Sequence, residues 1–206
     1  MNLLVVKSSV FGQGGQSSGL AETFCQQWKA RYPDADVVER DVVANPIPHL
    51  DGERIGALFS DPETRSSEQQ SVVDFADDLL EELTRADAIV LAVPMYNFSI
   101  PSQLKAWMDH LARAGVSFKY TENGPVGLLK DKPIYVLAAR GGVYQSSGQD
   151  YQAPLLKQFF GLLGFESLRF VYAEGLNLGE ESKASALNDA TQHIANLVAA
   201  FELGDA

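Results

Sequence analysis

Cysteine is almost missing from these 206 residues: Cys25 stands alone, so no internal disulfide can form. The three histidines, His49, His110 and His193, are scattered and there is no second thiol, so the ligand spacing of a structural zinc site is lacking and no metal is expected. Cys25 falls with Ala21 and Trp28 near one helical stripe, which favours a packed thiol over a nucleophile. Long apolar runs are also lacking, and membrane-spanning segments are not expected. The amino terminus carries five apolar residues before Lys7, too few for a signal peptide, so the expected location is the cytoplasm. Basic residues are scarce, 16 Lys and Arg against 27 Asp and Glu, for a net charge of −11. That balance excludes the clustered basic face of a nucleic-acid binder.

What is present suits one buried core. At 46% hydrophobic content and with no linker-like stretch, residues 1–206 are expected to form a single domain. Leu3 to Val6 reads as a buried strand, followed by Leu20, Phe24 and Trp28 at i, i+4 and i+8, marking a helix from about Ser17 to Arg31. Asp36 to Arg40 is a second strand. Val72, Val73, Ala76, Leu79, Leu80 and Leu83 form a helical stripe leading to a third strand at Ala88 to Val93, which Pro94 stops because it has no N–H for the ladder. Pro101 and Ser102 open a helix bearing Leu104, Trp107, Met108 and Leu111. Strands at Ile134 to Ala138 and Leu168 to Tyr172 flank a helix with Leu155, Leu156, Phe159, Phe160 and Leu163; a last helix carries Ala186, Ala190, Ile194, Leu197, Val198 and Phe201. Alternation of five strands with five helices implies an α/β, doubly wound five-stranded parallel sheet with helices on both faces, in the flavodoxin-like order 2-1-3-4-5. Ligands of such a sheet bind beyond the carboxyl ends of the strands, at the switch point between strands one and three. Three loops should meet there: Ser8 to Ser18, Pro94 to Phe98 and Ala139 to Tyr144.

The first loop, KSSVFGQGGQSSG, runs into a helix whose free N–H groups and positive dipole end suit a phosphate. Stricter motifs fail in it. Gly14 is not followed by the Gly-Lys-Ser/Thr of a Walker A loop, and the third glycine of a dinucleotide fingerprint is replaced by Ser17, although Glu39 could stand for its ribose-binding acid. Gly15 to Gly19 matches G-x-S-x-G, but about ten residues separate Val6 from Ser17 and His193 sits inside a helical period, unlike a hydrolase elbow. Simple N-capping would explain the serines alone; two further candidate loops at the same sheet edge tip the balance to a phosphate site. In the second loop, Met95, Tyr96, Asn97 and Phe98 offer a thioether, two aromatic faces and a carboxamide for a flat heteroaromatic ring, or else seal the core. In the third, Gly141 and Gly142 permit close approach of backbone N–H groups to a ligand, Arg140 is equally suited to a ligand contact or a structural ion pair, and Tyr144 is a cleft or surface aromatic. Two long connections, Val42 to Ser66 and Gly115 to Lys132, carry Ile47, Leu50, Leu58, Phe59, Phe118 and Tyr120 outside the regular core pattern.

Taken together, KSS with Gln16-Ser17 in the first loop, PMYNFSIPSQLKAWMDHLARAGVSFKYTENGPVGL in the middle and ARGGVY after the fourth strand closely resemble the FMN-dependent NADH:azoreductases, which are also quinone reductases. The likeness extends through NPIPHLDG and FVYAEG. It implies a homodimer with one FMN per subunit, its phosphate held by Ser9, Gln16 and Ser17 and its ring by Met95, Tyr96, Asn97, Phe98, Ala139, Arg140, Gly141 and Gly142. Tyr120, Tyr144 and Phe160 would shape the substrate cleft. The chain departs from the family's Ser-Arg-Gly-Gly at Ala139, losing one hydroxyl, and has Tyr144 where some relatives carry histidine. The implied reaction passes a hydride from NADH or NADPH to the flavin and then two electrons to a quinone or azo acceptor in the same pocket. No side chain is expected to be an obligatory acid or base. An electron-transfer flavodoxin would share fold and cofactor but need no nicotinamide-sized cleft, and a non-enzymatic binding module would lack the flavin.

Overall fold

The computed structural model describes residues 1–202; residues 203–206 lie outside it. In chain order its strands are β1 (Asn2–Lys7), β2 (Asp36–Asp41), β3 (Ala88–Pro94), β4 (Phe118–Thr121), β5 (Gly124–Gly127), β6 (Ile134–Ala139) and β7 (Leu168–Ala173). Its helices are α1 (Gln16–Arg31), α2 (Gly52–Leu58), α3 (Ser67–Arg85), α4 (Ser102–Leu111), α5 (Gln152–Leu163) and α6 (Glu180–Ala199). Five strands form one parallel sheet ordered β2-β1-β3-β6-β7, which is 2-1-3-4-5 once the separate β4-β5 pair is set aside.

The sheet is covered on both faces because its inner strands are apolar at nearly every position, Asn2 and Lys7 at the ends of β1 being the exceptions. Alternate side chains divide between two layers, as the two-residue period of a strand requires. Leu4, Val6, Ile89, Leu91 and Val136 pack with Leu79 and Leu83 of α3, Trp107 of α4 and Leu156 of α5. Leu3, Val5, Val90 and Leu137 pack with Phe24 and Trp28 of α1 and Ile194 of α6. Each such large side chain, once buried, contributes about 1.5–3 kcal/mol. The edge strand β2 reads DVVERD and is only partly covered, its charges discouraging further pairing along that edge. Helix α3 starts on a capping box in which Ser66 Oγ accepts from the Gln69 N–H and the Ser66 N–H donates to Gln69 Oε1. At its other end the Lys132 ammonium donates to the carbonyls of Leu83 and Thr84, closing a helix terminus that no glycine caps.

Four details differ from the sequence expectation. There are six α-helices among the described residues, because the proline-rich connection contains the short α2, capped by Asp51 accepting from the Arg54 N–H at 2.8 Å. The second long connection contains the β4-β5 hairpin, whose turn ends on Gly124 at φ +108°, a conformation that suits glycine. Pro94 is the last residue of β3, paired with Ala139, and does not lie beyond the strand. Helix α6 ends at Ala199, so Phe201 follows the helix, yet it is buried with its ring centroid 4.7 Å from that of Trp28.

Candidate functional site

The first loop leaves β1 with Ser8 Oγ donating to the Ala92 carbonyl at 2.8 Å, which ties the switch point together. A tight turn follows, in which the Gly12 N–H donates to the Ser9 carbonyl, and α1 then begins at Gln16 behind Gly15. Gly15 supplies no side-chain cap, and no acidic residue occupies the first turn of the helix. Gly15 is required sterically: a Cβ there would lie 2.1 Å from Ser9 Oγ. Ser17 is fully buried on this first turn and its hydroxyl has no partner among the described residues. A buried hydroxyl without a partner costs about 1–3 kcal/mol, and beside the free N–H groups of a helix start it suits an anion. The neighbouring cation is already committed, since Lys7 pairs with Glu39 at 2.7 Å. Glu39 is therefore held away from the ribose-type role that its position suggested.

The second loop is a tight turn in which Tyr96 and Ser99 exchange reciprocal N–H to carbonyl bonds, both 3.0 Å. Its two central residues take left-handed backbone conformations, Asn97 at φ +50° and Phe98 at φ +64°. Asparagine tolerates that region and phenylalanine does not, so the turn holds roughly 1–2 kcal/mol of strain at Phe98. The consequence is a half-exposed Phe98 ring and an exposed Asn97 carboxamide at the sheet edge. Tyr96 reaches the first loop: its hydroxyl lies 3.3 Å from Ser9 Oγ and accepts from the Val10 N–H at 3.2 Å.

The third loop closes the cleft. The Met95 N–H donates to the Ala139 carbonyl at 3.0 Å, and the Tyr144 ring meets Phe98 edge-on, centroids 5.8 Å apart. The Gly141 and Gly142 carbonyls accept from Asn177 and Gly175, whereas their own N–H groups have no acceptor among the described residues. A Cβ on Gly141 would sit 2.4 Å from the Asn177 side-chain amide, so close approach demands glycine there. Arg140 resolves to the ion pair of its two sequence readings. Its guanidinium is buried, donates to both oxygens of Asp150 and to Glu174, all at 2.9 Å, and lies 4.9 Å from the centre of the Tyr172 ring. Burial, followed by the charge of Asp150, pushes the Tyr172 phenol above its ordinary value.

The structure thus brings Ser9, Tyr96, Met95, Ala139, Phe98 and Tyr144 into one cluster, with Gln16 and Ser17 at its helix start. Tyr120 stands apart on the exposed face of β4, 75% exposed. Phe160 must be withdrawn from the cleft: it is wholly buried between Trp107, Phe159 and Phe165, because its helical stripe faces the sheet. Sequence reasoning missed Asp150, Gln152 and Glu174. Asp150 just before a helix was a legible start signal; Glu174, a single acid after a strand, offered none. A groove of about 570 Å³ runs between β2 and α3, lined by Asn2, Asp36 and Ala86 at the amino ends of the strands. It touches none of these loops.

The chain matches the model of a family described as having a flavodoxin-like fold over residues 1–198. It is 52% identical over 195 residues to an FMN-dependent NADH:quinone oxidoreductase of Cellvibrio japonicus, covering 94% of this chain and 98% of that protein. Among solved structures it is similar to an azoreductase from Bacillus anthracis Sterne, with a TM-score of 0.88, 29% identity and coverage of 98% of this chain and 100% of that one. An FMN-dependent NADH-azoreductase from Bacillus anthracis Ames Ancestor, solved in complex with FMN, gives a TM-score of 0.86, 26% identity and coverage of 96% and 97%.

Proposed function

The chain belongs to this flavodoxin-like fold family, and on that footing we propose that it is an FMN-dependent NADH oxidoreductase that reduces quinones and azo compounds. The observation that carries the proposal is the buried Ser17 hydroxyl without a partner, at a helix start that faces an aromatic turn across the switch point. The residues fit FMN. Ser9, Gln16 and Ser17 with the first N–H groups of α1 hold the phosphate, without a lysine or arginine. Met95 to Phe98 would pack against the ring, Ala139 lies at the end of its strand, and the N–H groups of Gly141 and Gly142 would be available to the ring's polar edge. Arg140 supports that wall from behind. When bound, FMN would supply the two-electron chemistry that links the nicotinamide donor to the acceptor.

The protein's part is to orient, to exclude water and to offer one cleft to both substrates in turn. Phe98 and Tyr144 meet edge-on at the mouth of that cleft, and a single cleft used by both substrates supports the reading that donor and acceptor exchange places in a ping-pong sequence. An azo bond needs four electrons to become two amines, hence two turnovers, whereas a quinone needs one. Tyr120 is assigned to a cleft shared with a partner subunit, because it is exposed on the β4-β5 hairpin. Phe59 at 73% exposed, Ile55 and Val116 mark the same homodimer surface, with on the order of 2,000 Å² buried. Ile47 and Phe118 do not belong to it, because both are buried in their own subunit. Residues 1–206 act as a single FMN-binding domain, placed in the cytoplasm and with no nucleic-acid partner; no helix among the described residues is long and apolar enough to cross a membrane.

The test is spectroscopic. The purified protein incubated with FMN should retain flavin absorbance after desalting, bleach under anaerobic NADH and recover on adding a quinone, with parallel double-reciprocal plots in the steady state. A protein that retains flavin but oxidises NADH only sluggishly would be an electron-transfer flavodoxin. Absence of bound flavin would overturn the assignment.

A further inference from the structure

The ends of β3, β6 and β7 and their loops are joined to one another by a continuous series of hydrogen bonds. Glu174, directly after β7, accepts from three donors with Oε1: the Arg140 guanidinium at 2.9 Å and the N–H groups of Tyr144 and Gln145 at 3.0 Å. Arg140 passes the connection to Asp150 through two bonds of 2.9 Å. Asp150 Oδ1 accepts from the N–H groups of Gln152 and Ala153, fixing the first turn of α5. Gln152 then donates from Nε2 to the carbonyls of Pro94 and Ser99, each at 2.9 Å, which are the two residues bracketing the aromatic turn. Arg140 and Gln152 are both only 1% exposed, so these bonds form away from competing water.

We propose that Glu174, Arg140, Asp150 and Gln152 form a brace that sets the distance between the glycine loop and the aromatic turn, making Glu174 and Gln152 positioning residues for the flavin ring. The inference rests on the FMN assignment. None of the four side chains needs to touch the cofactor. Glu174 holds the loop from Gly141 to Gln145 by its far end, which leaves the Gly141 and Gly142 N–H groups free, and it seats Tyr144 against Phe98. Gln152 holds the opposite wall, where the left-handed turn at Asn97 and Phe98 would relax without external support. The brace spans sequence separations of 10, 34 and 58 residues, so only the folded chain assembles it.

Removing Arg140 is a poor test, because it leaves Asp150 and Glu174 facing each other without a cation and threatens the fold. The two ends are better. Apoprotein is titrated with FMN and, separately, with riboflavin, which lacks the phosphate, for Glu174→Ala, Gln152→Ala, both together, Glu174→Gln and Ser17→Ala. Each alanine variant of the brace should weaken both ligands by the same factor, about three- to tenfold. The double variant should lose less than the product of the two, since both act on one network. Glu174→Gln should recover part of that affinity, because its amide oxygen can still accept from the Arg140 guanidinium and the Tyr144 N–H, while Ser17→Ala should weaken FMN and spare riboflavin. If Glu174→Ala does not fold, Gln152→Ala alone decides, as its amide donates only to the carbonyls of Pro94 and Ser99. Unchanged affinities in the folded variants, or losses confined to FMN, would overturn the brace and leave the FMN assignment standing. Failure of the wild-type apoprotein to bind FMN would overturn both.

Discussion

Replacing Ser17 by alanine should move two measurements in opposite directions. In the apoprotein the Ser17 hydroxyl is buried with no partner, which costs about 1–3 kcal/mol that alanine does not incur. Alanine is also the better helix former at this second position of α1. The apo variant should therefore be as stable as the wild type or more so by about 1 kcal/mol, seen as a rise in Tm of roughly 2–4 °C for a chain of this size. Binding should suffer, because the hydroxyl is lost as a donor to a charged phosphate. Such a bond is worth about 1.5–3 kcal/mol, or roughly 10- to 150-fold in Kd. At FMN one hundred times the wild-type Kd, ligand adds about 2.7 kcal/mol to the wild type, but only about 0.4 to a variant bound a hundredfold more weakly. The stability order thus inverts between apo and FMN-loaded samples. Thermal unfolding with and without FMN reads this directly, and a fluorescence titration gives the affinity. Ser9→Ala should not invert, because Ser9 Oγ already lies 3.3 Å from both the Tyr96 hydroxyl and the Phe11 N–H in the apo chain. An apo Ser17→Ala protein destabilised by more than about 1 kcal/mol, with unchanged FMN affinity, would show that the hydroxyl serves packing and not an anion.

Burial, with a smaller contribution from Glu39, pushes the Cys25 thiol from 9.0 up to about 11. The folded chain keeps this proton longer than the unfolded one, so the associated stability is complete below pH 9 and is lost as pH rises toward 11. Urea midpoints of wild type and Cys25→Val should diverge across that window, and iodoacetamide should label native Cys25 roughly a hundredfold more slowly than a free thiol at pH 8; labelling at the free-thiol rate would contradict the buried assignment. Phe98→Gly should leave Tm nearly unchanged, because relief of about 1–2 kcal/mol of left-handed strain offsets glycine's added chain entropy, while riboflavin affinity falls. A loss of more than about 2 kcal/mol of apo stability would make Phe98 a core seal instead of a cleft wall.

Periodicity and punctuation were enough to read the sheet. The apolar run of Ala88 to Val93 can only be a strand covered on both faces, and regular alternation with helical stripes leaves few ways to order five parallel strands. The three loops were legible for the same reason, since the ends of those strands must share one edge. The hairpin at Phe118 to Gly127 escaped attention although Asn123-Gly124 marks its tip, because its strands are four residues long and show no clean alternation. Helix α2 has seven residues, two of them glycine, and is too short to display a period.

What the chain's own pattern determined was therefore local conformation, the layers built from it and the edge where a ligand must bind. Tertiary structure alone decided which side chains are spent on one another. Phe160 has the same aromatic character whether it lines a cleft or fills a core, and only its packing against Trp107 and Phe165 assigns it to the core. Arg140 suits a ligand or an ion pair equally well until Asp150 and Glu174, 10 and 34 residues away, both reach its guanidinium. Hydrophobic period is a property of neighbours along the chain, whereas the satisfaction of a buried polar group depends on partners that only the fold supplies.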